Sequence, residues 1–327
     1  MKLQIKIPIE SEIPKIDYDS KIVLVGSCFV ESIGDKLDYV KFQTLQNPFG
    51  ILFHPIAIER IIERALQSDF FTEDDIFFKN ERWYCFEMHS SLCATNKIDF
   101  LSLINNKLNR LREYLLTASH IVLTFGTAWI YRLLSSQTIV ANCLKIPQKE
   151  FQKELLSIEE IKKSYKNMVT QILNRNPNTQ IITTISPVRH VRDGIIENSR
   201  SKAHLITALH QLISEEKKVY YFPSYELMMD ELRDYRFYKE DMIHPTNLAI
   251  EIIWESFKKA WISPETESIQ KSIRTIRIGL EHQPFDPTSK QHQSFLKNLN
   301  TKMNQIEKEF PHIKFYSPLW FIYFFCH

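Results

Sequence analysis

Four short apolar runs, each separated from the next by segments with helical spacing, restrict this chain more than any other feature. The runs are residues 21–25, 120–125, 180–185 and 218–222. They are rich in β-branched residues and do not alternate, as suits strands buried on both faces. Between and after them, residues 55–68, 100–118, 157–175, 200–215 and 246–261 carry apolar side chains three and four apart, as in Leu101, Ile104, Leu108, Leu111 and Leu115. This order predicts a three-layer α/β fold, a doubly wound parallel sheet with helices on both faces. Ligands of such sheets bind at the carboxyl ends of the strands. Ser27, Gly126, the Ser186-Pro187 turn and the Pro223-Ser224 turn should lie there.

Residues 69–99 break the pattern, and the segment from Trp83 to His89 reads as an inserted strand or hairpin. After about residue 262 the pattern changes again. Residues 266–281 and 290–309 read as two polar helices, so the expected division is a main domain over 1–262 and a helical C-terminal extension over 263–327. The extension ends in an aromatic run, Pro318 to Cys326, expected to dock on the core ahead of a role at a partner or membrane surface. No run reaches the roughly 18 apolar residues of a membrane span. The start of the sequence alternates polar and apolar residues without a signal-peptide core, and a cytoplasmic location is the expectation.

The formal net charge is +2, with 41 Lys and Arg against 39 Asp and Glu. That balance argues against nucleic acid as a partner. Five cysteines (Cys28, Cys85, Cys93, Cys143 and Cys326) are widely spaced with no CxxC pair, which fits a reducing compartment rather than a disulfide framework or structural zinc. Only six glycines occur in 327 residues, against a usual ~7%. Three of them, Gly26, Gly50 and Gly126, sit in motif-like settings after apolar runs.

Ser27 follows Gly26 at the end of the first run, where a helix is expected to begin. It could cap that helix, or it could be a nucleophile at a sheet edge. A serine nucleophile needs a base, usually a histidine oriented by a carboxylate. Among the eleven histidines, His120, His204 and His210 fall inside predicted strands or helices. His244 instead stands in a loop just before a helix that Pro245 can start. Asp241, three residues upstream, can fold back onto one imidazole nitrogen and leave the other facing a serine. His89 and His190 follow strand-like segments and could contact a substrate or serve only as hydrogen-bonded structural histidines. Arg189 is a possible contact for a carboxylate or phosphate.

These residues carry a resemblance. Gly-Ser after the first strand with D-x-x-H in the last loop resembles the SGNH/GDSL hydrolase superfamily. More narrowly, "GSCFV" at 26–30, "NPFG" at 47–50, "FEMHSS" at 86–91, "FGTAW" at 125–129, "NCLKIP" at 142–147, "SPVRH" at 186–190 and "DMIHPT" at 241–246 resemble the GSCFA family, in that family's order. The resemblance implies an SGNH or flavodoxin-like sheet with Ser27 as nucleophile, His244 as base and Asp241 as its orienting partner. It also implies an oxyanion held by the Ser27 N–H, a glycine N–H (Gly50 first, with Gly126 nearby) and an asparagine. The superfamily's G-x-N-D block is here "GTAW", so Asn47 and Asn142 are the expected substitutes. The implied activity is removal of a small acyl group such as acetyl from a sugar or other alcohol, without cofactor or metal. An O-acyltransferase would use the same residues. A metal-dependent hydrolase drawing on Asp241, His244, His89 and His190, a non-catalytic glycan-binding relative, and a thiol enzyme using Cys28 are the competing readings.

Overall fold

In the computed structural model, residues 5–315 are described; the aromatic run at 318–326 lies outside them. The chain begins with β1 (Lys21–Gly26), α1 (Cys28–Tyr39), β2 (Gln43–Gln46) and α2 (Pro55–Gln67). A hairpin of β3 (Ile76–Lys79) and β4 (Arg82–Cys85) precedes α3 (Lys97–Thr117) and β5 (His120–Phe125). Next come β6 (Trp129–Leu133), β7 (Ile139–Val140), β8 (Phe151–Leu155), α4 (Ile158–Arg175), β9 (Gln180–Ile185) and α5 (Ile195–Ile213). The rest is β10 (Val219–Tyr221), a short α6 (Ser224–Glu226), α7 (Asn247–Trp261), α8 (Glu267–Glu281) and α9 (Lys290–Glu309).

Five parallel strands form the central sheet in the order β10-β9-β5-β1-β2. The chain winds outward in both directions from β1, so the strand order reverses between β1 and β5. That reversal is the switch point at which open α/β sheets bind ligands. Ser27 follows β1 and Gly126 follows β5, so the two flank it. β2, missed by the sequence reading, is a polar edge strand of four residues with one buried side chain, Leu45. A second, antiparallel sheet, β7-β6-β8, grows out of the β5 loop.

Two apolar clusters cover the two faces. One joins Ile58, Ile104, Leu111, Tyr165 and Leu209 from α2, α3, α4 and α5 against Val23, Val25 and Ile121. The other joins Phe29, Ile33, Trp254 and Phe257 from α1 and α7 against Ile22, Leu24 and Val122. Ile273 and Ile276 of α8 and Leu296, Leu299 and Met303 of α9 are buried in the second cluster beside Tyr18 and Phe42. Gly279 lets these last two helices approach, since a Cβ there would stand 2.9 Å from Leu299 Cδ1. Among the described residues no helix is long and apolar enough to cross a membrane.

Candidate active site

The corner between β1 and β5 is built on backbone contact. Gly26 has φ +145°, and a Cβ there would lie 2.1 Å from the Thr124 carbonyl oxygen, so only glycine fits. Its N–H donates to Asn47 Oδ1 at 2.9 Å, and the next N–H, of Ser27, donates to Thr124 O at 3.0 Å. Ser27 stands at the N-cap of α1, yet its side chain makes no capping hydrogen bond. The residue is 0% exposed, and its Oγ has no hydrogen-bond partner among the described residues. An unpaired buried hydroxyl costs about 1–3 kcal/mol.

Across the switch point, Gly126 and Thr127 both donate to Phe53 O, at 2.7 and 3.1 Å. A Cβ on Gly126 would meet His190 Nε2 at 3.0 Å and Ser27 Cβ at 3.3 Å. Next to Gly126, then, lie both Ser27 and His190. Its ring stands edge-on to Phe53 at 5.0 Å, its backbone N–H donates to Asn198 Oδ1 at 2.9 Å, and its Nε2 is buried without a partner among the described residues. Burial first, then Lys202 and His244, push this imidazole down to about 3, so it is neutral at working pH.

Asp241 and His244 meet as the spacing predicts. Asp241 Oδ2 accepts from His244 Nδ1 at 2.7 Å, while Oδ1 accepts the backbone N–H groups of Ile243 at 2.8 Å and His244 at 2.9 Å. Those two backbone bonds, with the imidazole bond after them, pull the carboxyl down to about 2. Met242, at φ +58°, makes the turn between them. With Nδ1 on the carboxylate, Nε2 is the ring nitrogen left for chemistry. Both side chains are 44% exposed, and no hydrogen bond joins His244 to Ser27.

The expected oxyanion donors fare unevenly. The Ser27 N–H is spent on Thr124 because the β1–β5 ladder runs one residue past the strand. Gly50 N–H closes a turn on Asn47 O at 2.8 Å, and Gly126 N–H is held by Phe53. Asn47 ties the loop after β2 to the site: Oδ1 holds Gly26 and Nδ2 reaches Glu31 Oε1 at 3.3 Å. Asn142 accepts from Leu144 N through Oδ1, and its amide N–H groups have no partner among the described residues. His89 packs its Cβ against Gly50 and pairs Nδ1 with Ser91 Oγ at 2.9 Å, a loop-bracing role. Burial, then Glu31, push the Cys28 thiol up, which disfavours a thiolate there. Arg189 lies over Tyr238 at 5.1 Å.

The sequence reading missed a polar ridge on α5. Asn198, Ser201 and Lys202 are all buried. Asn198 holds His190, and Ser201 Oγ accepts from Ala128 N at 2.7 Å. Lys202 Nζ donates to Gly126 O at 2.6 Å and Ser186 O at 2.7 Å, joining the ends of β5 and β9. Burial brings this amine down to about 7. Polar residues at 198, 201 and 202, in line with buried Leu205, Ala208 and Leu209, were the available signal.

A cleft of about 700 Å³ opens beside His190, floored by Trp129 and Tyr131 and walled by Asn142, Cys143 and Lys145. A larger groove of about 1270 Å³ runs past Glu231, Arg236 and Leu248 and contains none of the residues above. Among the described residues no three His, Cys, Asp or Glu side chains gather as metal ligands.

Comparison with known proteins bears on the chain as a whole. Residues 21–257 match the GSCFA family, and residues 273–318 match the GSCFA domain protein, C-terminal domain. No curated protein matches it. Among solved structures it is similar to a Clostridium thermocellum family 3 carbohydrate esterase at 14% identity, covering 78% of this chain and 98% of that one with a TM-score of 0.33. That likeness is too loose to bear on activity.

Proposed function

The chain belongs to the GSCFA family, and on that footing we propose that this member is a serine-dependent ester hydrolase acting on small acyl esters of sugars or other alcohols. Ser27 Oγ attacks the ester carbonyl while His244 Nε2 takes its proton. The tetrahedral oxyanion collapses, the C–O bond to the alcohol breaks, and His244 returns the proton to the departing oxygen. Water then adds to the Ser27 acyl ester by the same route in reverse. Asp241, ionised at any working pH, fixes the imidazole tautomer and supports its charge. Acyl transfer to a sugar hydroxyl in place of water would use the same groups.

The observations that support this reading are the Asp241–His244 bond, locked by two backbone N–H groups, and a buried Ser27 hydroxyl at the end of β1 with no hydrogen-bond partner among the described residues. Ser27 is fully buried, so substrate entry requires the groups around it to shift. Asn142 is the remaining oxyanion donor of those the sequence suggests, and loss of one such donor costs about 10²–10³ in turnover. The engaged backbone N–H groups of Ser27, Gly50 and Gly126 favour a second reading, a sugar-binding relative without turnover.

Hydrolysis of p-nitrophenyl acetate by wild type, Ser27→Ala, His244→Ala and Cys28→Ala separates the two. The hydrolase reading expects a loss of about 10⁴ or more in the first two variants and retained turnover in the third. Equal background rates in all four folded proteins would leave the binding reading.

A further inference from the structure

The cleft beside His190 carries charge that its own walls do not neutralise. Lys145, Lys153 and Arg192 line it against a single carboxylate, Asp193. Lys153 is already committed, to Asp193 at 2.5 Å and to the face of Trp129 at 4.4 Å. Lys145 and Arg192 have no carboxylate partner among the described residues. Arg192 is exposed to solvent and lines the cleft, so its guanidinium is open to a ligand. The imidazoles at its edge, His54 and His190, are held neutral by burial and add no charge at working pH. The whole chain has a formal net charge of only +2, so this is a local excess and not a general basic character.

The rest of the lining is aromatic and polar. Trp129 and Tyr131 are two apart on β6 and project to the same side. They offer flat apolar area bounded by hydrogen-bonding groups, as suits a ring with an apolar face and a polar rim. His190 lines the cleft and its Nε2 also approaches Gly126, the residue after β5, while Ser27, Asp241 and His244 are not among the lining residues.

We propose that this cleft selects sugars bearing an oxyanion, a carboxylate or a phosphate, held by Arg192 and Lys145 with the ring over Trp129 and Tyr131. As a statement about substrate it rests on the ester hydrolase reading; as a statement about binding it does not. Guanidinium and ammonium groups form charge-assisted hydrogen bonds to both anions, about twice as strong as neutral ones.

The test is equilibrium binding of three deacylated probes to wild-type protein by calorimetry or ligand-observed NMR: glucose, glucuronate and glucose 6-phosphate. The expected result is binding of at least one anionic sugar about 10-fold or more tighter than glucose, weakening as salt is raised. Arg192→Gln combined with Lys145→Gln should abolish that preference, and Arg192→Lys should restore part of it. A preference for glucuronate alone assigns the carboxylate, and one for glucose 6-phosphate alone the phosphate. Equal affinity for all three probes, or a preference that survives the double substitution in folded protein, would overturn the proposal. Turnover is not read, so a protein without esterase activity would still give a decisive answer.

Discussion

Replacing Gly126 by alanine places one methyl group between the two sides of the site. The new Cβ would stand 3.0 Å from His190 Nε2, 3.2 Å from Phe53 O and 3.3 Å from Ser27 Cβ. Favourable carbon contacts fall near 3.5–4.0 Å, so each neighbour must give by a few tenths of an ångström. Overpacking of this kind costs about 1–3 kcal/mol. Gly126 lies outside the left-handed region, so alanine also restricts the unfolded chain and returns about 0.4–1 kcal/mol. The net expectation is a destabilisation of about 1–2 kcal/mol. Phe53 O is fixed by two hydrogen bonds and Ser27 Cβ by the strand end, so the His190 ring is the group that moves. Urea denaturation of wild type, Gly126→Ala, His190→Ala and the double variant measures this directly. In the His190→Ala background the cost of the methyl should shrink by about 0.5–1.5 kcal/mol, the coupling of residues in contact. Turnover of p-nitrophenyl acetate should fall in the single Gly126 variant. The same cost in both backgrounds would refute the packing argument.

Two further perturbations test the scaffold. His54 accepts from Ala57 N at Nδ1, donates to Val140 O from Nε2, and is held by burial at about 4. The unfolded chain takes up this proton near 6.5 and the native one only near 4, so stability is full above about pH 6.5 and falls as pH drops to 4. The loss is about 3 kcal/mol, with His190 adding in the same direction. Urea midpoints from pH 7 to 4 should fall less steeply in His54→Asn, which keeps a cap acceptor without titrating; parallel curves would contradict this. Asn47→Ala strips the buried Gly26 N–H of its acceptor and should lower unfolding free energy by about 1–3 kcal/mol, measured by urea denaturation. No change would mean the loop is held by other contacts.

Much of this architecture was legible before any coordinates. The strands at 120–125 and 180–185 were bounded correctly because fully buried parallel strands are written as continuous apolar runs. The Asp241–His244 pair was legible because a D-x-x-H turn brings its own ends together, a local property. What escaped notice depended on distant partners. β2 is polar and earns its place through pairing with β1, and β6, β7 and β8 form a sheet of their own. The Ser27, Gly50 and Gly126 N–H groups looked available because no sequence pattern reveals that Thr124, Asn47 and Phe53 carbonyls claim them. Lys202 was overlooked because a lysine in a helix reads as solvated until its carbonyl partners from two strand ends are known.

Whether Ser27 is an activated nucleophile is tested most directly by reaction with a fluorophosphonate probe, mapped by peptide mass spectrometry. Wild type, Ser27→Ala, His244→Ala and Cys28→Ala would be compared. The account expects a single adduct on Ser27, absent in Ser27→Ala, strongly slowed in His244→Ala and retained in Cys28→Ala. A folded wild type that stays unlabelled, or an adduct that persists without Ser27, would contradict it.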